Sequence, residues 1–216
     1  MDTPESNKPV RELHTERMII RAIDPDQDAE DIHEWYRLAE PMKFTTQAPK
    51  KDVSETRAML AKRNSLSHCL LYAMTIPHPD PSKKDQRKVI GRVGSKSFPE
   101  IGYSMNPVFQ HKGYMTEALT AFVPELFNVM PTAEKGGFDH AIAMTDVEHV
   151  ASMAVLLRCG FAKGRVIPGE YTSPQLGVRD AQTWYVARPG TELPKGLLEG
   201  ELGEDMDGER PVPDVQ

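Results

Sequence analysis

The sequence predicts a mixed α/β domain of the α+β kind, with one sheet of about seven strands flanked by about four helices. Three observations carry this. Residues 69–76, 89–95 and 101–105 are apolar, β-branched runs in series, which is the pattern of consecutive antiparallel strands. Two segments of helical period, 29–40 and 50–66, stand between a first strand and this set, so strands and helices do not alternate one for one. The loop at 110–118 joins a strand to a helix but lacks G-x-G-x-x-G, which disfavours a dinucleotide-binding Rossmann fold.

The elements follow in order. Residues 17–23 form a strand bounded by Asp24 and Pro25. Ile32, Trp35, Tyr36 and Ala39 recur at helical spacing, and Pro41 is expected to end that helix. In the second helix Val53, Thr56, Met59 and Leu60 share a face, with Asp52 or Ser54 as cap. Residues 77–88 are a polar, proline-bearing connection between strands. After the strand 101–105 the loop opens a third helix, with Met115, Ala118, Leu119, Phe122, Leu126 and Val129 at a 3.6 period. Pro124 lies inside that pattern and predicts a kink or an early end. A strand at 138–145 leads to a short helix at 150–159. Gly160 is read as its left-handed cap, with Phe161 closing onto Leu156. Short strands at 163–167 and 183–188 complete the sheet.

Composition sets limits on partners. The chain has 216 residues and a formal charge of −6. Residues 191–216 hold eight acids and two bases, so the acidity lies in that Gly- and Pro-containing tail and the body is formally neutral. The tail is read as disordered, the first 14 residues as flexible, and residues 15–190 as the folded domain. A neutral body gives no electrostatic case for nucleic acid. No apolar run reaches the roughly 18 residues of a membrane span, and the polar start has no secretory apolar region. Cys69 and Cys159 read as thiols of a reducing, cytoplasmic compartment, with the nucleus left open. The seven histidines show neither His-x3-His nor Cys-x2-Cys spacing, so no metal is expected.

The most informative stretch is the loop. A glycine-bearing turn at a helix start aims several N–H groups at one point, and the helix dipole adds positive potential there, which suits a phosphate or pyrophosphate. Residues 100–119, EIGYSMNPVFQHKGYMTEAL, resemble the acetyl-CoA-binding segment of the GNAT superfamily of N-acetyltransferases, and its RimJ/RimL-like branch above all. The segment reads Gln/Arg-x-x-Gly-x-Gly/Ala, with Gln110, Gly113 and Met115 in the key places. Residues 151–161, ASMAVLLRCGF, resemble the branch's second signature, Asn-x-x-Ser followed by an apolar helix and Gly-Phe. The likeness covers about residues 15–190. Two places depart from it. Met115 replaces a small residue, and His149 stands where the family has an Asn that contacts the pantetheine arm. Histidine donates one hydrogen bond but cannot copy the amide's paired donor and acceptor.

The resemblance implies the GNAT fold, with a mostly antiparallel sheet splayed between its fourth and fifth strands, 101–105 and 138–145. It implies acetyl-CoA as cofactor and an amine as acceptor, either a protein N-terminus or a small molecule, in a monomer or homodimer. The pantetheine would pair with the strand edge at Tyr103 and Met105, and the Met105 N–H would face the thioester oxygen. The pyrophosphate would rest on Gln110, His111, Lys112, Gly113, Tyr114, Met115 and Thr116, where His111 and Lys112 either meet phosphate or face solvent. His149 would take the pantetheine contact. In several family members a tyrosine on the second-signature helix is the acid, but Leu156 occupies that position here. The branch's serine and glutamate map onto Ser152 and Glu170, with Glu100 as rival base. Their plain alternatives are a helix-start serine, a solvated loop acid and a turn charge. Trp35, Tyr36 and Phe44 either line the acceptor pocket or belong to the core. A non-catalytic acyl-CoA sensor and a transferase of another acyl group are the alternative functions.

Overall fold

Eight strands form a single sheet in the order β1-β2-β3-β4-β5-β6-β8-β7. The computed structural model describes residues 11–66, 69–194 and 196–198. Its elements are β1 (Leu13–His14), β2 (Ile19–Ala22), α1 (Pro25–Tyr36), α2 (Ala39–Met42), α3 (Val53–Asn64), β3 (Leu70–Pro77), β4 (Arg87–Ser97) and β5 (Glu100–Met105). There follow α4 (Tyr114–Val129), β6 (His140–Asp146), α5 (Val150–Arg158), β7 (Ala162–Ser173) and β8 (Gly177–Ala187). Every neighbouring pair is antiparallel except β5 and β6. The expected mixed α/β architecture is present, with a two-residue β1 and the single turn α2 added.

The sheet is covered on both faces. On one face α4 and α5 set Phe122, Leu126, Leu119 and Leu156 against Tyr72, Met74, Ile90 and Trp184. On the other, α1 and α3 set Ile32, Trp35, Tyr36 and Leu60 against Leu71, Ala73 and Val89. Each such side chain contributes about 1.5–3 kcal/mol of apolar burial. Polar contacts fix α1 on the sheet. Asp24 caps it, accepting from the Asp26 and Gln27 N–H groups. Lys88 Nζ on β4 lies 2.6 Å from both Asp31 and Glu34, and the Asn106 amide donates to Glu34 at 2.9 Å.

Several boundaries differ from the sequence reading. The first long helix ends at Tyr36 rather than at Pro41, which lies inside α2. The third helix passes Pro124 and continues to Val129, because Phe122 and Leu126 anchor it on both sides of the proline. The last two strands are an 11- and 12-residue hairpin rather than short pieces. Leu13 and His14, within the N-terminal segment read as flexible, pair with Ile20 and Ile19. Leu197, within the tail read as disordered, is buried with Ile142 and Tyr185. Most of the acidic tail, 199–216, and residues 1–10 lie outside the described residues.

Candidate functional site

The site begins with a break in the sheet. β5 and β6 pair only at Glu100–Ile142 and Ile101–Ala143, while β5 continues to Met105 and β6 to Asp146. Beyond Ile101 the two parallel strands have separated. The Asn106 N–H bonds to the Ile90 carbonyl on β4. By the two-residue repeat of a strand, Ser104 and Gly102 also direct their backbone to β4, and Tyr103 and Met105 direct theirs into the split. An extended group entering there meets a row of backbone donors and acceptors.

At the mouth of the split lies the start of α4. Its N-cap, Gly113, has φ 80° and supplies no side-chain cap. His111 also has positive φ, 61°. Left-handed residues at 111 and 113 turn neighbouring N–H groups toward one side at the helix N-terminus, the arrangement of an anion-binding nest. Tyr114, Met115 and Thr116 are the first residues of that helix, so their N–H groups precede its first internal bond, from Glu117 to the Gly113 carbonyl. The Gln110 N–H is already used by the Pro107 carbonyl, so of the expected donors it is committed to the turn before the nest. Arg17 braces the loop. Its guanidinium donates to the Lys112 carbonyl, pairs with Glu117 at 2.7 Å and lies 4.3 Å over the Tyr114 ring. The Lys112 ammonium bonds the Val108 carbonyl. Met115, the departure from the family pattern, is buried in the core with its side chain away from the nest.

The second wall is α5. Asp146, buried at the end of β6, accepts from Arg179 at 2.8 and 2.9 Å, from the Tyr171 hydroxyl at 2.5 Å and from the Glu148 N–H at 2.8 Å. Burial pushes its pKa up, but Arg179, Tyr171 and the Glu148 N–H prevail and lower it to about 2. This carboxylate fixes the turn that starts α5. The far end of the helix closes by a Schellman arrangement: Gly160, φ 81°, donates to Leu157, and the Phe161 N–H donates to Leu156 at 3.0 Å.

Held in this way, Ser152 lies almost buried, with its hydroxyl 2.6 Å from the Tyr103 hydroxyl across the split. Burial pushes the Tyr103 pKa up, against the hydrogen bond from Ser152. The pair is therefore protonated at neutral pH. Sequence reasoning assigned Tyr103 for its backbone only. Its ring shares the strand face of Met105, which the alternation of β5 already required. Cys159 closes the same cleft, with Sγ 3.6 Å from the Thr116 carbonyl, and burial raises its thiol pKa. His149, at the N-cap of α5, stacks on Phe44 at 4.8 Å and 29°. Burial lowers its pKa, partly opposed by Asp146 and Glu40.

The carboxylates take different places. Glu100 is half-buried at the start of β5, on the same strand face as Gly102 and Ser104. The Trp35 indole donates to the Ser104 hydroxyl at 3.3 Å, so that face is the one α1 covers. Glu170, expected after the strand, lies inside β7 in the bulge between Ile167 and Tyr171, because the hairpin extends to Ser173. Trp35 is wholly buried and packs in the core, while Tyr36 accepts from Arg92 Nε at 2.6 Å. Among the described residues no three His, Cys, Asp or Glu side chains gather as a metal site, and no helix is long and apolar enough to cross a membrane.

A sheet split between parallel strands, with a helix-start nest at its mouth, defines an enzyme class that lays an extended, phosphate-bearing cofactor into the sheet. The chain matches the acetyltransferase (GNAT) domain over residues 17–162 and belongs to that family, whose cofactor is acetyl-CoA. Solved structures agree in fold. An acetyltransferase of the GNAT family from Bacillus anthracis superposes with a TM-score of 0.65 at 20% identity, over 82% of this chain and 98% of that one. RimL, a ribosomal L7/L12 alpha-N-protein acetyltransferase in complex with coenzyme A, gives 0.66 at 16%, over 82% and 98%. The microcin C7 self-immunity acetyltransferase MccE, in complex with acetyl-CoA and AMP, gives 0.63 at 17%, over 80% and 93%. Comparison with curated protein sequences gives no match.

Proposed function

We propose that the protein transfers an acetyl group from acetyl-CoA directly to a primary amine, on a protein N-terminus or a small molecule. The observation that carries this is the split between β5 and β6 with the Tyr103–Ser152 hydroxyl pair across it. The residues fit the cofactor. The nest from His111 to Thr116 would hold the pyrophosphate, and the backbone of Tyr103 and Met105 would hold the pantetheine. Bound there, acetyl-CoA supplies an activated acyl thioester. Tyr103 and Ser152 share hydroxyl protons at 2.6 Å and serve as the donor to a leaving thiolate. The Met105 N–H, directed into the split, stabilises negative charge developing on an acyl oxygen. Glu100, on the α1-covered face beside Gly102, is better placed than Glu170 to accept the amine proton, directly or through water.

The test is coenzyme A release from acetyl-CoA across a panel of primary amines, beside direct coenzyme A affinity. Ser152→Ala and Tyr103→Phe are each expected to lower kcat by about 10²-fold or more while leaving coenzyme A affinity intact. Tight coenzyme A binding with no turnover on any amine would replace the transferase reading with an acyl-CoA-binding sensor.

A further inference from the structure

Gly102 is exposed although it lies in a central strand of an eight-stranded sheet. A Cβ built there meets no atom within 4 Å. The α1-covered face is therefore open at this point, beside the split, and Glu100 and Ser104 flank the opening along β5.

The side chain across from Ser104 is Arg92. Its Nε donates to the Tyr36 hydroxyl, and its guanidinium lies 5.7 Å from that ring's centre. The two terminal nitrogens, which form the fork of the guanidinium, have no hydrogen-bond partner among the described residues. Arg63, half-buried in the last turn of α3, is near enough for its charge and that of Arg92 to act on each other. Burial lowers its pKa, and the charge of Arg92 lowers it further. Both guanidinium charges also act on Cys69, the buried residue just before β3.

Neither arginine has a carboxylate within ion-pair distance among the described residues. Arg17, Arg21, Lys88, Arg179 and Arg188 each rest on an Asp or Glu. Two like charges that share a partly buried cleft without a counter-ion destabilise the fold. A planar, delocalised fork held in place by a tyrosine is also the geometry that recognises a carboxylate or phosphate by paired hydrogen bonds.

We propose that the acceptor carries an anionic group, carboxylate or phosphate, which Arg92 and Arg63 hold in this cleft while its amine reaches the split beside Gly102. The proposal rests on the transferase reading and narrows its substrate class. It also makes Arg92 and Arg63 specificity residues, which the formally neutral composition of the folded body gave no reason to expect.

The experiment uses the full chain saturated with coenzyme A, so that the α4 nest is filled. Inorganic phosphate and, separately, acetate are titrated calorimetrically at an ionic strength fixed with sodium chloride. At least one anion is expected to bind, and the stronger arm identifies phosphate or carboxylate as the group read. Arg92→Gln and Arg63→Gln should each weaken that binding about tenfold or more, the loss of one charge-assisted contact. Arg92→Lys, which keeps the charge but not the fork, should fall between, and coenzyme A affinity reports that each variant is folded. In kinetics, an amino acid should be a better acceptor than its amide, and Arg92→Gln should raise KM for the amino acid alone. Failure of both anions to bind the coenzyme A-loaded protein, or unchanged binding in both glutamine variants, overturns the anion site. Failure to bind coenzyme A at all overturns the transferase reading instead.

Discussion

Tyr72 is wholly buried in the larger core, and its hydroxyl has no hydrogen-bond partner among the described residues. Burial, with the Glu125 carboxylate adding to it, pushes its pKa up to about 12, so the group stays neutral and unsatisfied. Leaving such a hydroxyl unpaired costs about 1–3 kcal/mol. Tyr72→Phe keeps the edge-on contact with Phe122 and removes the penalty. It is expected to leave stability unchanged or raise it by about 1 kcal/mol, measured by urea unfolding. Met115 poses the reverse case. The sequence shows a large residue where the family has a small one, and a linear reading cannot say which way the side chain points. Position settles it: the second residue of α4 faces Leu119 and Phe122, one and two turns on, so the thioether belongs to the core. Met115→Ala is therefore expected to cost about 2–4 kcal/mol through the cavity it leaves, without tightening coenzyme A binding. Thermal unfolding and coenzyme A titration check the two halves. A variant that bound coenzyme A more tightly at unchanged stability would place the side chain in the nest.

At the scale of elements, what could be read in advance was whatever is fixed locally. The α5 cap needs only Gly160, Phe161 and Leu156, all within one six-residue stretch, and the α4 loop needs only the glycine between strand and helix. Elements ruled by distant contacts were misread. Residues 162–173 contain Gly164, Pro168 and Gly169, which signal the end of a strand in isolation. In the fold they are absorbed into two irregular registers against β8, and Gly164 lies so close to Tyr185 that a Cβ would stand 2.5 Å from its ring. Pro124 does not end its helix, for the same reason. Its missing N–H leaves the Thr120 carbonyl without its usual helical donor, yet burial of Phe122, Leu126 and Phe127 holds the helix together. The proline is exposed, so Pro124→Ala restores a hydrogen bond without disturbing the core. It is expected to stabilise the protein by about 1–3 kcal/mol, visible as a higher urea midpoint at unchanged slope. A lower midpoint would show that the helix is bent around the proline and needs it.

Across the whole molecule, the cofactor side was legible and the proposed acceptor cleft was not, because the first needs one loop and one helix start while the second, as proposed, draws on α1, α3, β4 and β5. Asp146 shows the same limit, since its partners Tyr171 and Arg179 come from a hairpin that residue spacing alone does not bring to it. The carboxylate joins β6, β7, β8 and the start of α5, so its ionisation bears on stability and on the placing of Ser152 together. Its pKa in the fold, about 2, lies below the ordinary 3.8. A depressed carboxylate contributes stability that is complete above its unfolded pKa and is lost as pH falls through the folded one. The loss therefore belongs between about pH 4 and pH 2. His149 acts earlier. Burial holds its pKa below 6.5, so the unfolded chain takes up this proton first and stability begins to fall as pH drops through that value. Two stages of acid weakening are expected in urea unfolding followed against pH. His149→Gln should flatten the first. Asp146→Asn should shrink the second, to which Glu117 beside Arg17 also contributes, and cost about 3 kcal/mol at neutral pH, because Arg179 loses its buried carboxylate and keeps only the exposed Glu148. It should also lower kcat more than coenzyme A affinity, since the α4 nest does not depend on it. Parallel profiles for Asp146→Asn and the wild type between pH 4 and pH 2 would show that Arg179 and Tyr171 do not hold this carboxylate in the folded protein.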